Sequence, residues 1–378
     1  MAITLHEVTS RRDLKRFVRF PYGLYRNDPF WVPPLRADEL NTLRKDRNPA
    51  FEYCEAWYWI AYHGKRPVGR IAAILNRKAN EKWRKKELRF GWFDFIDDPD
   101  VSRALLRTVE NKARALGLDA VHGPLGFTDM DYEGMLIEGF DELGTLATIY
   151  NYPYYPVHLK KNGYAKDIDW MEYEVKVPDS IPEKVDRIAR IVEKKLALTL
   201  LRVKNAKGLL PYARGIFEIL DETYAHLYGT VPLTTRQVDN YIKQYFGFVR
   251  PEFVPVVLDR NGRMAAFGIT MPSFSRALQK NRGRLWPFGF LSMLQAFRRN
   301  DRADLYLVGV RPDLQGKGVN AMLIAEMNRV FIQKGIRLVE TNPELETNLR
   351  VQSQWEYYER RQHKRRRVFI KRIGPDGP

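Results

Sequence analysis

Twice along the chain, short apolar β-rich runs come as a pair around a turn. Residues 57–75 read WYWIAYHGKRPVGRIAAIL, with runs 57–62 and 67–75 flanking a turn at His63-Gly64-Lys65. Residues 254–271 read VPVVLDRNGRMAAFGITM, with the turn at Asp259-Arg260-Asn261-Gly262. Asn-Gly between apolar β-rich runs is a strong hairpin signal. The second strands align with each other, VGRIAAIL against RMAAFGIT, so the hairpins read as an internal repeat. The elements after each hairpin also correspond. In the first half a strand at 90–96 leads to a helix at 100–116, with Val101, Leu105, Val109, Ala113 and Leu116 at helical spacing and Gly117 placed as C-cap. In the second half a strand at 304–310 leads to a helix at 318–334, with Met322, Leu323, Ala325, Met327, Val330 and Phe331 apolar and Gly335 following. Each helix runs into another strand, 119–122 and 336–340. Each half therefore predicts hairpin–strand–helix–strand. The fold class is α/β (α+β), two domains each with a mixed, mostly antiparallel sheet flanked by helices. The VPDSIP stretch at 177–182 marks the boundary, dividing the chain into 1–177 and 178–378.

Length agrees with two domains among 378 residues. With 44% apolar and 29% charged residues the chain has material for a core, which excludes disorder. No apolar run reaches the ~18 residues of a membrane-spanning helix, and no secretory leader is visible. The single cysteine, Cys54, excludes an internal disulfide, and with the missing leader it predicts a cytoplasmic protein. The histidines stand singly, without the spacing of a zinc site, so no metal is expected.

The net charge of +17 changes the picture, because it calls for a polyanion: nucleic acid, an anionic membrane surface or a polyanionic small molecule. Two segments concentrate it. The insert 274–303, FSRALQKNRGRLWPFGFLSMLQAFRRNDRA, interleaves Arg276, Lys280, Arg282, Arg284, Arg298, Arg299 and Arg302 with Leu285, Trp286, Phe288, Phe290, Leu291, Leu294 and Phe297. It reads either as a surface-seeking or acyl-chain-binding helix or as an amphipathic helix packed on its own sheet. The tail 360–372, RRQHKRRRVFIKR, is basic but encloses Val368, Phe369 and Ile370, which read as a final strand anchoring part of the run.

The sharpest local feature is Val310-Arg311-Pro312-Asp313-Leu314-Gln315-Gly316-Lys317-Gly318-Val319-Asn320, a strand end, a two-glycine loop and a helix start. Glycines let backbone N–H groups approach a ligand, a helix N-terminus adds unpaired donors and positive dipole, and Lys317 adds charge, so a pyrophosphate suits the loop. Neither a Walker A loop nor a Rossmann GxGxxG is present. The segment resembles motif A of the GNAT (general-control-related N-acetyltransferase) superfamily, Gln/Arg-x-x-Gly-x-Gly/Ala, with Gln315, Gly318 and Asn320 in those positions and Asn320 in place of the usual small residue. The resemblance implies an acetyl-CoA or longer acyl-CoA co-substrate held by Gln315, Gly316, Lys317, Gly318, Val319 and Asn320, with Val308 and Val310 on the strand before the loop, where a backbone N–H polarises the thioester carbonyl. The first half has Phe95-Ile96-Asp97-Asp98-Pro99-Asp100 instead, where carboxylates cap a helix and repel phosphate. Further on, Tyr154-Tyr155, Leu159 and Gly163-Tyr164 are similar to the family's Tyr…Leu…Gly-Phe close before a last strand, here 170–177. The picture is a tandem GNAT protein with a degenerate first copy. Motif support is confined to about 304–358.

Acyl transfer from a thioester to an amine needs oriented reactants, a base for the ammonium and an acid for the thiolate. In the family that acid is commonly a tyrosine seven residues after an asparagine. Here Asn348 is followed at that spacing by Trp355, and Tyr358 is the nearest tyrosine. Glu340, Glu344 and Glu346 are candidate bases. The segment 123–144 carries Asp129, Asp131, Glu133, Glu138, Asp141 and Glu142, an acidic loop that reads either as an attractor for a cationic amine or as a capped surface loop. It lacks the later ligands of a calcium loop. The reading is an acyl-CoA-dependent N-acyltransferase acting on a small-molecule or peptide amine. The alternatives are a non-catalytic scaffold binding nucleic acid or anionic membrane through its basic face, and an acyl-CoA sensor.

Overall fold

The computed structural model describes residues 2–246 and 249–374. The chain forms two compact units. Among the described residues the first comprises 2–171, 274–294 and 363–374, and the second 172–246, 249–273 and 295–362. The partition is thus not a single cut at 177/178, because the segment 274–294 and the end of the chain fold with the first unit.

In the first unit the strands Ile3–Glu7, Cys54–His63, Arg66–Asn76 and Glu87–Phe95 pair antiparallel in chain order. Residues 87–89 then pair parallel with 120–122 of the strand Ala120–Gly123. The strand Arg66–Asn76 is covered on both faces, and Val68, Ile71, Ala72, Ala73 and Ile74 are all buried, the near-continuous apolar run such a position demands. The crossover helix Pro99–Ala115 buries Val101, Leu105, Val109 and Ala113 in the same apolar cluster. Its close approach requires glycine at 69, where a Cβ would lie 2.8 Å from Leu105 Cδ1.

The second unit repeats the order. Met264–Pro272 pairs antiparallel with Val256–Leu258 and with Arg302–Val310, and residues 302–305 pair parallel with 338–341 of the strand Leu338–Thr341. The crossover is the helix Asn320–Lys334. Ile216, Phe217, Ile219 and Leu220 of the helix Ala213–Tyr224 pack with Val256 and Phe267 into this unit's core. In both units the antiparallel register slips just beyond the parallel-paired stretch: between Arg70 and Ala72, which face Asp94 and Gly91, and between Ile269 and Thr270, which leaves Tyr306 unmatched. A bulge there bends the strand away from its parallel neighbour.

The closing strands differ from expectation. Residues 174–176 of Ala165–Lys176 pair with 338–340 in the second unit. In the first unit the place beside 120–123 is taken by 369–372 of the C-terminal strand Arg360–Arg372. The stretch 170–177 is a strand, but not the last strand of the first repeat. Alternation identifies a strand; which neighbour it joins is decided by long-range packing. The tail is a full strand with Val368 and Phe369 buried, and much of its charge is neutralised inside the first unit. Arg367 grips Asp169 at 2.7 and 2.9 Å, and Lys371 Nζ lies 2.9 Å from Glu110 Oε1.

Candidate functional site

In the second unit, Arg311 fixes the start of the two-glycine loop. Its Nε donates to Asp313 Oδ1 at 2.7 Å, and its NH1 donates to Asp259 Oδ2 at 2.9 Å and to the Met264 carbonyl at 3.1 Å. Both acids hold this guanidinium firmly protonated, Asp313 most strongly. A 3-10 turn, Pro312–Leu314, follows. Gln315 Nε2 donates to the Val310 carbonyl at 3.1 Å, so its side chain ties the loop back to the strand. Gly316 and Gly318 adopt φ of 74° and 82°, the left-handed region that favours glycine. At Gly318 a Cβ would also lie 3.2 Å from Ile188 and Val192 of the helix Glu183–Lys195. The N–H groups of Gly316, Gly318, Val319 and Asn320 have no hydrogen-bond partner among the described residues, and the helix Asn320–Lys334 begins directly behind them. Lys317 is exposed beside them. These donors, the helix dipole and the lysine fit a pyrophosphate. Val308 and Val310 stand opposite Gly268 and Ala266 in the ladder, and the Val308 carbonyl accepts from Tyr224 OH at 3.0 Å.

The proposed acid and base groups scatter more widely. Tyr358 is half-buried, and its hydroxyl accepts from Asn328 Nδ2 at 2.7 Å, on the helix that opens at the loop. Burial raises the phenol pKa while the Asn328 bond works against that rise, so the phenol carries its proton at neutral pH. Glu340 lies on Leu338–Thr341 in register with Asp304 on one side and Glu174 on the other. Glu174 is neutralised by Arg302 and Arg361, each at 2.9 Å. Asn348 is the N-cap residue of the short helix Leu349–Gln352 with no side-chain cap bond, and its carbonyl accepts from Val351 N at 3.1 Å. Trp355 is buried and donates from Nε1 to Glu344 Oε1 at 2.8 Å. Burial lifts the Glu344 carboxyl to about 7, against the opposing pull of Trp355 and Arg360. Glu346 is partly exposed. Tyr306, at the bulge, was not singled out by its sequence context; its hydroxyl donates to Asp304 Oδ2 at 3.3 Å.

The first unit has no phosphate loop. Asp98 caps the helix Pro99–Ala115 by accepting from Asp100 N, and Asp97 Oδ1 lies 2.8 Å from His158 Nε2. The unit nevertheless contains a cavity at its own strand divergence, between residues 91–94 and 124–126. Its polar wall is a buried network that sequence spacing does not reveal. Arg70 Nε donates to Asp94 Oδ2 at 2.7 Å, Tyr25 OH donates to Asp94 Oδ1 at 3.0 Å, and the Tyr25 and Tyr155 hydroxyls meet at 2.7 Å. Trp92, held at φ 44° in the slipped register, donates from Nε1 to Glu39 Oε2 at 2.8 Å. Burial raises the Glu39 carboxyl to about 7.

The acidic segment 123–144 is largely used internally. Asp131 Oδ2 accepts from the N–H groups of Phe127 (2.8 Å) and Thr128 (3.1 Å), Glu138 faces Arg365 at 3.6 Å, and Glu142 faces His363 at 3.6 Å. That arrangement corresponds to a capped loop more than to an open attractor for an amine. The insert is divided: Phe274 is buried, whereas Trp286, Phe288 and Phe290 are exposed. No helix among the described residues is long and apolar enough to cross a membrane.

No protein-family model matches the chain. It is 28% identical over 371 residues to protein YghO of Escherichia coli, covering 96% of this chain and 94% of that one. It is 27% identical over 322 residues to a bacterial ceramide synthase of Caulobacter vibrioides, covering 84% and 82%. Among solved structures, a tandem GNAT protein from the clavulanic acid biosynthesis pathway superposes with a TM-score of 0.56 at 13% identity, covering 99% of this chain and all of that one. With a hairpin–strand–helix–strand unit twice along the chain and a full-length match to that architecture, the chain has the tandem GNAT fold.

Proposed function

We propose that the protein is an acyl-CoA-dependent N-acyltransferase, with acetyl-CoA or a longer acyl-CoA as donor and a small-molecule or peptide amine as acceptor. The observation that carries this reading is the set of unpartnered N–H groups at Gly316, Gly318, Val319 and Asn320, opening a helix beside Lys317. These groups would hold the pyrophosphate in the second copy, while the first copy, with Asp97, Asp98 and Asp100 at the matching place, binds none. In the reaction the amine nitrogen attacks the thioester carbonyl carbon, the C–S bond breaks, the ammonium proton passes to a base and the thiolate takes a proton from an acid. Tyr358 suits the acid, being protonated and oriented by Asn328. Of the candidate bases Glu340, Glu344 and Glu346, Glu344 has its carboxyl raised by burial to about 7, the range a base for an ammonium needs at neutral pH. Asn348 is left the lesser role of shaping the turn that carries Trp355. A relative named as a bacterial ceramide synthase makes a long-chain amine the acceptor class to try first.

A second reading, an acyl-CoA sensor without turnover, is favoured by Trp355 at the place of the family's tyrosine. The nucleic-acid reading loses support from the tail, since Arg367 and Lys371 are paired with Asp169 and Glu110.

The test is thermal unfolding with CoA, acetyl-CoA and palmitoyl-CoA, beside Gly316→Glu, which places a carboxylate where a side chain meets nothing within 4 Å. Ligand at ~100 times Kd stabilises by roughly 2.7 kcal/mol. Stabilisation of the wild type that G316E lacks supports the reading; a folded protein indifferent to every CoA species sinks it. Release of free thiol with a long-chain amine present then separates enzyme from sensor.

A further inference from the structure

Residues 286–294 direct their apolar side chains away from the protein. Trp286 is 78% exposed and Phe288 73%, and Phe290, Leu291 and Leu294 are exposed with them. On the helix Gly289–Arg298 the last three lie at i, i+1 and i+4, on one face, and it is the solvent face. A surface helix ordinarily carries the opposite arrangement. Single exposed apolar residues are common, but five within one short segment, with the Trp286 and Phe290 rings 5.6 Å apart, call for a partner.

The patch is held in place. Arg36 N donates to the Gly283 carbonyl at 3.1 Å, Asn281 Nδ2 to the Gly289 carbonyl at 2.9 Å, and Phe290 N to the Leu285 carbonyl at 2.9 Å. A Cβ at Gly283 would run into the Pro34 carbonyl, and one at Gly289 into that of Arg284. The loop that carries Trp286 and Phe288 therefore has a fixed path over the first unit.

Cations gather beside it. Arg36 lies 4.2 Å over the Tyr22 ring, with its Nε buried and without a hydrogen-bond partner among the described residues. Its guanidinium pKa is lowered by burial and then by Arg284 and Arg19 nearby. Arg276, Lys280 and Arg282 are exposed on the same segment. A second copy of the chain would bring the same positive charges against these, whereas an anionic surface complements them.

We propose that this patch docks the protein on an anionic phospholipid bilayer. Trp286, Phe288, Phe290, Leu291 and Leu294 enter the boundary between headgroups and acyl chains, and Arg284, Arg36 and Arg19 meet headgroup phosphates. Apolar insertion and a basic rim are the two signals that together give stable interfacial attachment. The assignment is independent of whether the second unit transfers an acyl group.

The test is co-sedimentation of the full chain with vesicles of phosphatidylcholine containing about 30 mol% phosphatidylglycerol, against pure phosphatidylcholine, for wild type, W286S/F288S and R284E. All three substituted side chains are exposed, so unfolding midpoints should match. The expected result is wild-type binding to anionic vesicles that falls about tenfold or more in W286S/F288S, weakens in R284E, and is much reduced on neutral vesicles. No binding to anionic vesicles overturns the proposal. So does binding that both variants retain, or a wild-type dimer in sedimentation velocity that W286S/F288S dissolves.

Discussion

Trp355 Nε1 donates to Glu344 Oε1 at 2.8 Å, and the other oxygen of that carboxylate is buried with no hydrogen-bond partner among the described residues. The residue that stands where the family's tyrosine is expected is thus a structural donor to a carboxyl that burial raises to about 7 and that the indole bond pulls back down. W355F removes the one bond that favours the ionised form most. It should push the Glu344 carboxyl higher still and cost about 1–3 kcal/mol, read as a lowered unfolding midpoint above pH 7. An unchanged midpoint there would show that water replaces the indole.

Glu39 and Glu344 give the fold a pH signature. Both carboxyls are raised by burial to about 7 from an ordinary value of 4.5. The folded state therefore binds more protons than the unfolded state between these values, so stability is greatest below about pH 4.5 for these two groups and falls as pH rises through 7. A shift of this size corresponds to about 3 kcal/mol per group at full ionisation. E39Q should flatten the fall of the unfolding free energy between pH 5 and about 8; a curve parallel to wild type would mean that Glu39 is not raised.

Arg70 and Asp94 form a buried pair tied to Tyr25 and, through it, to Tyr155. Removing one partner leaves a buried charge, which costs about 3–5 kcal/mol. R70M should therefore destabilise strongly, while R70M/D94L, which removes both charges, should recover much of the loss. Chemical denaturation of the single and double variants decides it, and a double variant no better than R70M contradicts the pairwise account.

The two loop glycines should separate under substitution. Gly316 needs only its positive φ, because nothing lies within 4 Å of a Cβ there, so G316A should cost about 1 kcal/mol. Gly318 combines φ 82° with a Cβ 3.2 Å from Ile188 and Val192, so G318A should cost more. Equal midpoints for the two variants would mean that the helix Glu183–Lys195 gives way.

Much of this was legible in the chain. The Asn-Gly turn, the small-residue strands and the 3.6-residue spacing of Val101, Leu105 and Val109 give elements that lie within a few residues of those observed. The loop at 315–320 declares itself by glycines ahead of a helix. What escaped are relations between distant residues. Nothing in the alternation of 170–177 says that it joins 338–340, and nothing near Glu39 announces Trp92, which meets it only because a register slip holds that tryptophan at a positive φ. The amphipathic pattern of 285–297 was visible, but periodicity does not tell which face meets the protein.

The last prediction concerns Tyr358 and Asn328. The asparagine amide donates to the phenol oxygen at 2.7 Å, which directs the phenol proton away from the helix, and it pulls down a pKa that burial raises. In the proposed role of acid for the departing thiolate, Tyr358 must be protonated, so turnover should fall at alkaline pH as the phenol ionises. Y358F should lower kcat by about 10²-fold or more while stabilisation by CoA is retained. N328L removes the lowering bond, so its alkaline limb should move to higher pH, with a smaller loss in kcat that reflects poorer orientation of the ring. A full-rate Y358F would assign the proton to another donor, and an N328L limb that moves to lower pH would refute the role given to the amide.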